Sequence, residues 1–233
     1  MNKNRKFDDF DHFANNYRKI HNNNIKLSGA ESNFFSEHKI KTIKLEEKNE
    51  ELNFLDFGCG DGNTFPFFEK YFPNCIYNGV DISHESITVA KSKNSNINNF
   101  FTFDGCILPF ENESFDIVFT ACVFHHIEFN LHNNLFKEIH RVLKKKGRFY
   151  IFEHNPWNPV TQKMVNTCPF DKDAILLKPS YTKKTLLNLF NNQVTNYILF
   201  FPRHRIFNFF IRFEYLLRKI PLGGQYYTKA VKL

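Results

Sequence analysis

The nonapeptide "LDFGCGDGN", Leu55 to Asn63, carries an apolar run to Asp56 and then sets glycine at 58, 60 and 62. Glycines at such spacing after a strand let the backbone turn tightly and approach a nucleotide closely. A dinucleotide fold that grips a pyrophosphate uses G-x-G-x-x-G, so that a helix N-terminus meets the phosphates. Counted from Gly58, the third glycine of that pattern falls at position 63, which is Asn63. Asp56 would repel a pyrophosphate and suits a ligand with an amine as well as a carboxylate. The turn therefore predicts a nucleoside ligand without phosphate and argues against hydride transfer.

Outward from the turn, strands and helices alternate. "LNFLDF" (52–57) reads as a buried strand, and a helix follows over about 64–71, with Pro66 tolerated in its first turn. "CIYNGVDI" (75–82) is a second strand, followed by a helix over 83–93 that Ser83 caps, with Ser86 near its third position. Strands are expected at 99–104, 115–120 and 148–153, and an amphipathic helix at 131–147, closed by Gly147. Further on, the pattern predicts a helical piece over 160–168, a helix over 182–190, a strand over 194–201, a helix over 205–220 and a last strand over 225–233. Alternation of this kind implies an α/β fold, here a seven-stranded, mostly parallel Rossmann-like sheet between helices, its last strand antiparallel.

Two helices precede the first strand. Phe7, Phe10, Phe13, Tyr17 and Ile20 share one helical face. A second helix over 32–48 turns Phe35, Ile40 and Ile43 inward and Lys39, Lys41 and Lys44 outward. The chain reads as one domain: a helical cap over 1–50, a cofactor-binding core over 51–153, an acceptor lid over 154–180 and the remainder of the sheet over 181–233.

Asp81 ends the second strand and can accept both hydroxyls of an adenosine ribose. Asp104, in "FDG" after the third strand, is suited to the adenine amino group. With Asp56, these acids line one crevice at the carboxyl edge of the sheet.

These residues resemble the class I S-adenosylmethionine-dependent methyltransferases. The matching pieces are "LDFGCGDG", "GVDIS", "FDG" with "LPFENESFDIVF", "ACVFHHI" and "EIHRVLKKKGRFYIFE", in the family's order from about Leu52 to Glu153. The family often has Lys-Pro-Gly-Gly where this chain has "KKKG", a departure confined to the turn into the fifth strand. The resemblance implies S-adenosyl-L-methionine as cofactor, with Asp56, Gly58, Cys59 and Gly60 around its methionine part. It implies Asp81 on the ribose, Ile82 against the adenine face and Asp104 with Gly105 at the adenine edge. Ala121 and Cys122, with the residues up to His125, would line the other side, and Tyr17 and Ser28 of the cap are candidates to close over the cofactor.

Methyl transfer needs alignment, exclusion of water and a place for a proton. His125 and His154 are the leading candidate bases, with His126 and Glu153 beside them. No metal is expected, because adjacent histidines lack a helical i, i+4 partner or a cysteine pair. Trp157 is expected to pack beneath the lid, and Asp171 and Asp173 either bind polar acceptor groups or cap a turn.

The expected reaction is methyl transfer to an oxygen or nitrogen of a small molecule, a sugar or lipid-linked glycan among the candidates. The alternatives are a protein or nucleic-acid methyltransferase and a catalytically silent cofactor-binding protein. The net charge of +7 allows a nucleic acid, but no basic block, RNA-binding module or "NPPY"-type tetrapeptide accompanies it, so none is expected as partner. The segment 205–220 has interleaved Phe, Leu and Arg; core packing is its default reading and peripheral membrane contact the alternative. An odd number of cysteines without a C-x-x-C pair, and an N-terminus without a signal peptide, lead to a cytoplasmic expectation. The oligomeric state is left open.

Overall fold

The computed structural model describes residues 29–49, 51–94, 98–171 and 173–233. The helix expected over 7–20, with Tyr17, and Ser28 lie outside them. Seven strands run β1 (Asn53–Phe57), β2 (Ile76–Asp81), β3 (Phe100–Thr102), β4 (Phe115–Ala121), β5 (Leu143–His154), β6 (Phe190–Ile198) and β7 (Gln225–Lys232). They form one sheet in the order β3-β2-β1-β4-β5-β7-β6. All neighbouring pairs are parallel except those of β7, which runs antiparallel between β5 and β6.

Both faces are covered. Alternation along β1 sends Phe54 to one side and Leu55 and Phe57 to the other. On the first side Phe54, Ile117, Phe119 and Tyr150 meet α1 (Ser32–Glu46), α2 (Phe65–Tyr71) and α3 (His84–Lys93) through Ile40, Ile43, Phe68, Ile87 and Ala90. On the second side Leu55, Val118, Phe149 and Ile151 meet α4 (Phe129–Val142) and α6 (Pro179–Leu186), while α5 (Pro159–Thr167) follows β5. The strand order reverses between β1 and β4. A crevice opens at such a switch point, beyond the carboxyl ends of the strands.

Several boundaries differ from the sequence expectation. The helix expected over 131–147 ends at Val142, and "LKKKG" joins β5, with a register shift against β4 between Phe115 and Ile117. Leu143 is fully buried in extended conformation, so tertiary packing overrides the helical periodicity. The helix expected over 182–190 starts instead at Pro179, whose fixed φ suits a first turn, and β6 begins at Phe190. The helix expected over 205–220 is a 3₁₀ turn (Arg205–Phe207) and two four-residue helices, α7 (Asn208–Ile211) and α8 (Glu214–Leu217). Its apolar side chains are not in the core: Ile206, Phe209 and Leu216 are 77%, 59% and 73% exposed. Lys39, expected outward, is buried. No helix among the described residues is long and apolar enough to cross a membrane.

Candidate active site

A cavity of about 900 Å³ occupies the crevice. Its wall includes the turn after β1, Asp81 and Ile82 after β2, Asp104 and Gly105 after β3, Ala121 to Val123 after β4, and His154 at the end of β5. The structure thus brings the expected residues from Asp56 to Cys122 and the candidate bases His125, His126 and His154 to one cavity; Glu153 is fully buried against His125, and Tyr17 and Ser28 lie outside the described residues.

The three glycines of the turn serve different ends. All have positive φ. A Cβ on Gly58 would lie 2.4 Å from Val123 Cγ2, so this glycine lets the turn close against the segment after β4. A Cβ on Gly62 would press on Asn94, Phe100 and Ala90 and separate α3 from the turn. A Cβ on Gly60 would meet nothing within 4 Å; it would project into open space where a ligand approaches the backbone.

The Asp81 carboxylate holds this turn in place. Gly60 N–H donates to its Oδ2 at 2.8 Å, and Ser83 N–H donates to its Oδ1 at 3.0 Å. A carboxylate offers about four lone-pair positions, so acceptor capacity remains for a ribose diol. Asp56 lies deeper, accepting from Thr64 Oγ1 at 2.5 Å and Tyr77 OH at 2.8 Å. Burial pushes its carboxyl up to about 6, against the pull of those hydrogen bonds. Asp104 is exposed and accepts from the Cys106 and Ile107 N–H groups, which hold its carboxyl below the usual range. An open spot above Gly60, a carboxylate beside it and an acid at the third strand end fit an adenosine with an amino-acid tail.

The opposite wall is an imidazole–carboxylate cluster. Cys122, with φ 61, turns the chain sharply after β4, and a 3₁₀ turn (Phe124–His126) brings both histidines back over the sheet end. His125 Nδ1 is 2.6 Å from Glu153 Oε2, and Phe124 N–H donates to Glu153 Oε1 at 2.9 Å. Asp171 Oδ1 lies 3.3 Å from His126 Nε2 and 3.9 Å from His125 Nε2. The His154 ring is 5.1 Å from that of His125.

Burial alone would lower the His125 pKa, but the Glu153 and Asp171 carboxylates prevail and raise it to about 10. Burial would likewise raise Glu153 and Asp171, yet their histidine neighbours hold both below the usual range. His154 is pushed down to about 4, first by burial and then by the His125 charge, and His126 is lowered for the same reasons. At neutral pH the cluster is one imidazolium between two carboxylates, beside two neutral imidazoles. Donor atoms of His125, His126 and Asp171 lie within 4.8 Å of one another, close enough to share a cation.

Two participants were not recognised in the sequence. Asp171 is visible in the sequence only as a polar-group binder or turn cap; its pairing with His125 and His126 depends on how the chain folds back after α5. Lys39 was assigned to the solvent face of its helix. Ser32, Phe35, Ser36 and Lys39 instead line the cavity from one face of α1.

A doubly wound sheet with acids at three successive strand ends defines an α/β domain that binds a nucleoside cofactor. Residues 55–151 match the methyltransferase domain family. The chain is similar to an uncharacterized methyltransferase of Bacillus subtilis, 36% identical over 129 residues, or 53% of this chain and 49% of that protein. It is also similar to a demethylmenaquinone methyltransferase of Chlorobaculum parvum, 34% identical over 125 residues, 53% of this chain and 50% of that one. The matched region thus spans about half the length of these relatives. Among solved structures, a SAM-dependent methyltransferase of Thermotoga maritima, described as a possible histamine N-methyltransferase, shares the fold. Its TM-score is 0.68 at 16% identity, over 97% of this chain and all of that one.

Proposed function

We propose that the chain transfers the methyl group of S-adenosylmethionine to an oxygen or nitrogen of a small-molecule acceptor, a sugar or a lipid-linked glycan among them, and not to a nucleic acid. The observation that carries this reading is the neutral His154 on the wall of the cavity that also contains the Gly60 turn and Asp81. S-Adenosylmethionine supplies a methyl group on a sulfonium, which leaves as a neutral thioether. A hydroxyl or amine that takes the methyl must lose a proton. His154 is neutral at physiological pH and makes no side-chain hydrogen bond among the described residues, so its ring is open to accept that proton. Glu153 and Asp171 hold His125 as an imidazolium, and the net negative charge of the three groups favours a cationic donor beside them. Val160, Thr161 and Met164 of α5 line the cavity on the side of His154.

His154→Ala is expected to lower kcat by roughly 100- to 1000-fold, within the usual span for loss of a general base. The Kd for S-adenosylhomocysteine, read by calorimetry, should stay within about threefold, because His154 lies on the acceptor side. An unchanged kcat would remove proton transfer from its role.

A lipid-linked acceptor is favoured by the exposed segment after β6. Leu199 to Arg203 line the cavity, and the chain then presents Ile206, Phe209, Phe210, Phe213 and Leu216 to solvent. The Arg212 and Arg218 guanidiniums sit over the Phe209 and Tyr215 rings, adding positive charge to the apolar surface. We assign this surface to an anionic membrane. The protein should float with phosphatidylglycerol vesicles and be released by high salt. Absence from the floated fraction at low salt would remove the lipid arm of the proposal.

A further inference from the structure

The cavity wall is rich in acids, and its cations are few. Among the described residues, Lys39 and Arg203 are the lysine and arginine side chains that line it. Arg203 is already committed: its Nη2 donates to Glu214 Oε2 at 2.8 Å, and its guanidinium lies over the Phe34 ring. Lys39 is only 7% exposed, and no carboxylate or other hydrogen-bond acceptor among the described residues reaches its ammonium. The stem of Lys39 is covered while its ammonium reaches the cavity, where it can pair with an anionic group of a bound ligand.

The position of Lys39 identifies which anion. It follows Ser32, Phe35 and Ser36 on the cavity face of α1, with Ile40 and Ile43 anchoring the helix on the sheet one step around. Its charge is felt at Asp56, below the glycine turn, and at Cys122 and His154 across the crevice. That is the end of the cavity away from Asp104. A cofactor with its ribose at Asp81 and its base toward Asp104 directs its amino-acid tail to this end. The tail carries an amine, which the acidic wall favours, and a carboxylate, which the same wall repels.

We propose that Lys39 is the counter-ion of the carboxylate at the amino-acid end of the bound cofactor. Lys39 offsets the repulsion between that carboxylate and Asp56, and the cofactor in turn supplies the ammonium with an anionic partner. The inference rests on the methyltransferase reading and assigns one subsite within it. Lys39 is a binding residue, not a participant in proton transfer.

The test is a calorimetric cycle with two probes, S-adenosylhomocysteine and its decarboxylated analogue, which retains the amine. Wild type should prefer the complete molecule. Lys39→Met should weaken S-adenosylhomocysteine by roughly 10- to 100-fold, the worth of a charge-assisted hydrogen bond, and change the decarboxylated analogue by less than about twofold. Lys39→Arg should recover part of the loss, and thermal melts of both variants report whether the fold is kept. Equal weakening of the two probes, or of neither, overturns the assignment. Unchanged S-adenosylhomocysteine affinity with a raised KM for acceptor also overturns it and moves Lys39 to an anionic acceptor. Wild type binding neither probe would instead sink the cofactor reading beneath it.

Discussion

Replacing Asp81 with alanine is expected to weaken S-adenosylhomocysteine binding by roughly 100- to 1000-fold. A hydrogen bond to a charged group contributes about 1.5–3 kcal/mol, and two ribose hydroxyls share this carboxylate in the proposed complex. The same carboxylate receives Gly60 N–H and Ser83 N–H, so the variant also frees the turn over which the cofactor lies. Gly60 borders the cavity while Ser83 is buried at the start of α3, so a thermal melt must accompany the binding measurement. Asp81→Asn separates the two contributions: one oxygen still accepts, while the amide opposes one of the backbone donors. Its loss should fall between wild type and alanine. Affinity within threefold of wild type in a folded Asp81→Ala protein would contradict the ribose assignment.

The second large effect concerns stability. Glu153 is fully buried and holds both His125 Nδ1 and Phe124 N–H. Removing one member of a buried charged pair costs about 3–5 kcal/mol, because the other is left unpaired. Glu153→Ala should lose about that much in chemical denaturation. Glu153→Gln, which keeps an acceptor for Phe124 N–H, should lose less.

The pH dependence has a definite sign. The His125 pKa is raised from 6.5 to about 10 on folding, so its contribution is complete below 6.5 and is lost as pH climbs toward 10. The Glu153 pKa is lowered from 4.5, so its contribution is complete above 4.5 and is lost in acid. The gap between wild type and Glu153→Ala should therefore be widest near pH 5–6.5 and narrow toward pH 10. His126 and His154 titrate in the opposite sense and are common to both proteins, as is Asp171. A gap that widens with rising pH would contradict the protonated His125.

The part of the cavity assigned to the cofactor was legible because its residues follow strand ends in chain order. Asp56, Asp81 and Asp104 need only the alternation of strands and helices to be brought together, and Ser83 capping α3 is a local signal. The acceptor half was less legible because its contacts are not local. His125 and Glu153 meet because β4 and β5 are neighbours, a fact of sheet order, while Asp171 joins them from the far side of α5. Lys39 was misplaced for an instructive reason. Polarity on a helix normally marks the solvent side, but the polar face of α1 meets a cavity lined with acids. The segment 205–220 misled in the other direction. It is apolar enough for a core, but Arg205, Asn208, Arg212, Glu214 and Arg218 interrupt its apolar residues, and the chain breaks it into short turns on the surface.

The central claim is that this cavity passes a methyl group from S-adenosylmethionine to a small molecule. Mass spectrometry of acceptor pools incubated with methyl-labelled cofactor tests it most directly. The account predicts label on an oxygen or nitrogen of a small molecule, lost in Asp81→Ala and strongly reduced in His154→Ala. Label confined to protein or nucleic acid, or label transfer undiminished in Asp81→Ala, would contradict it.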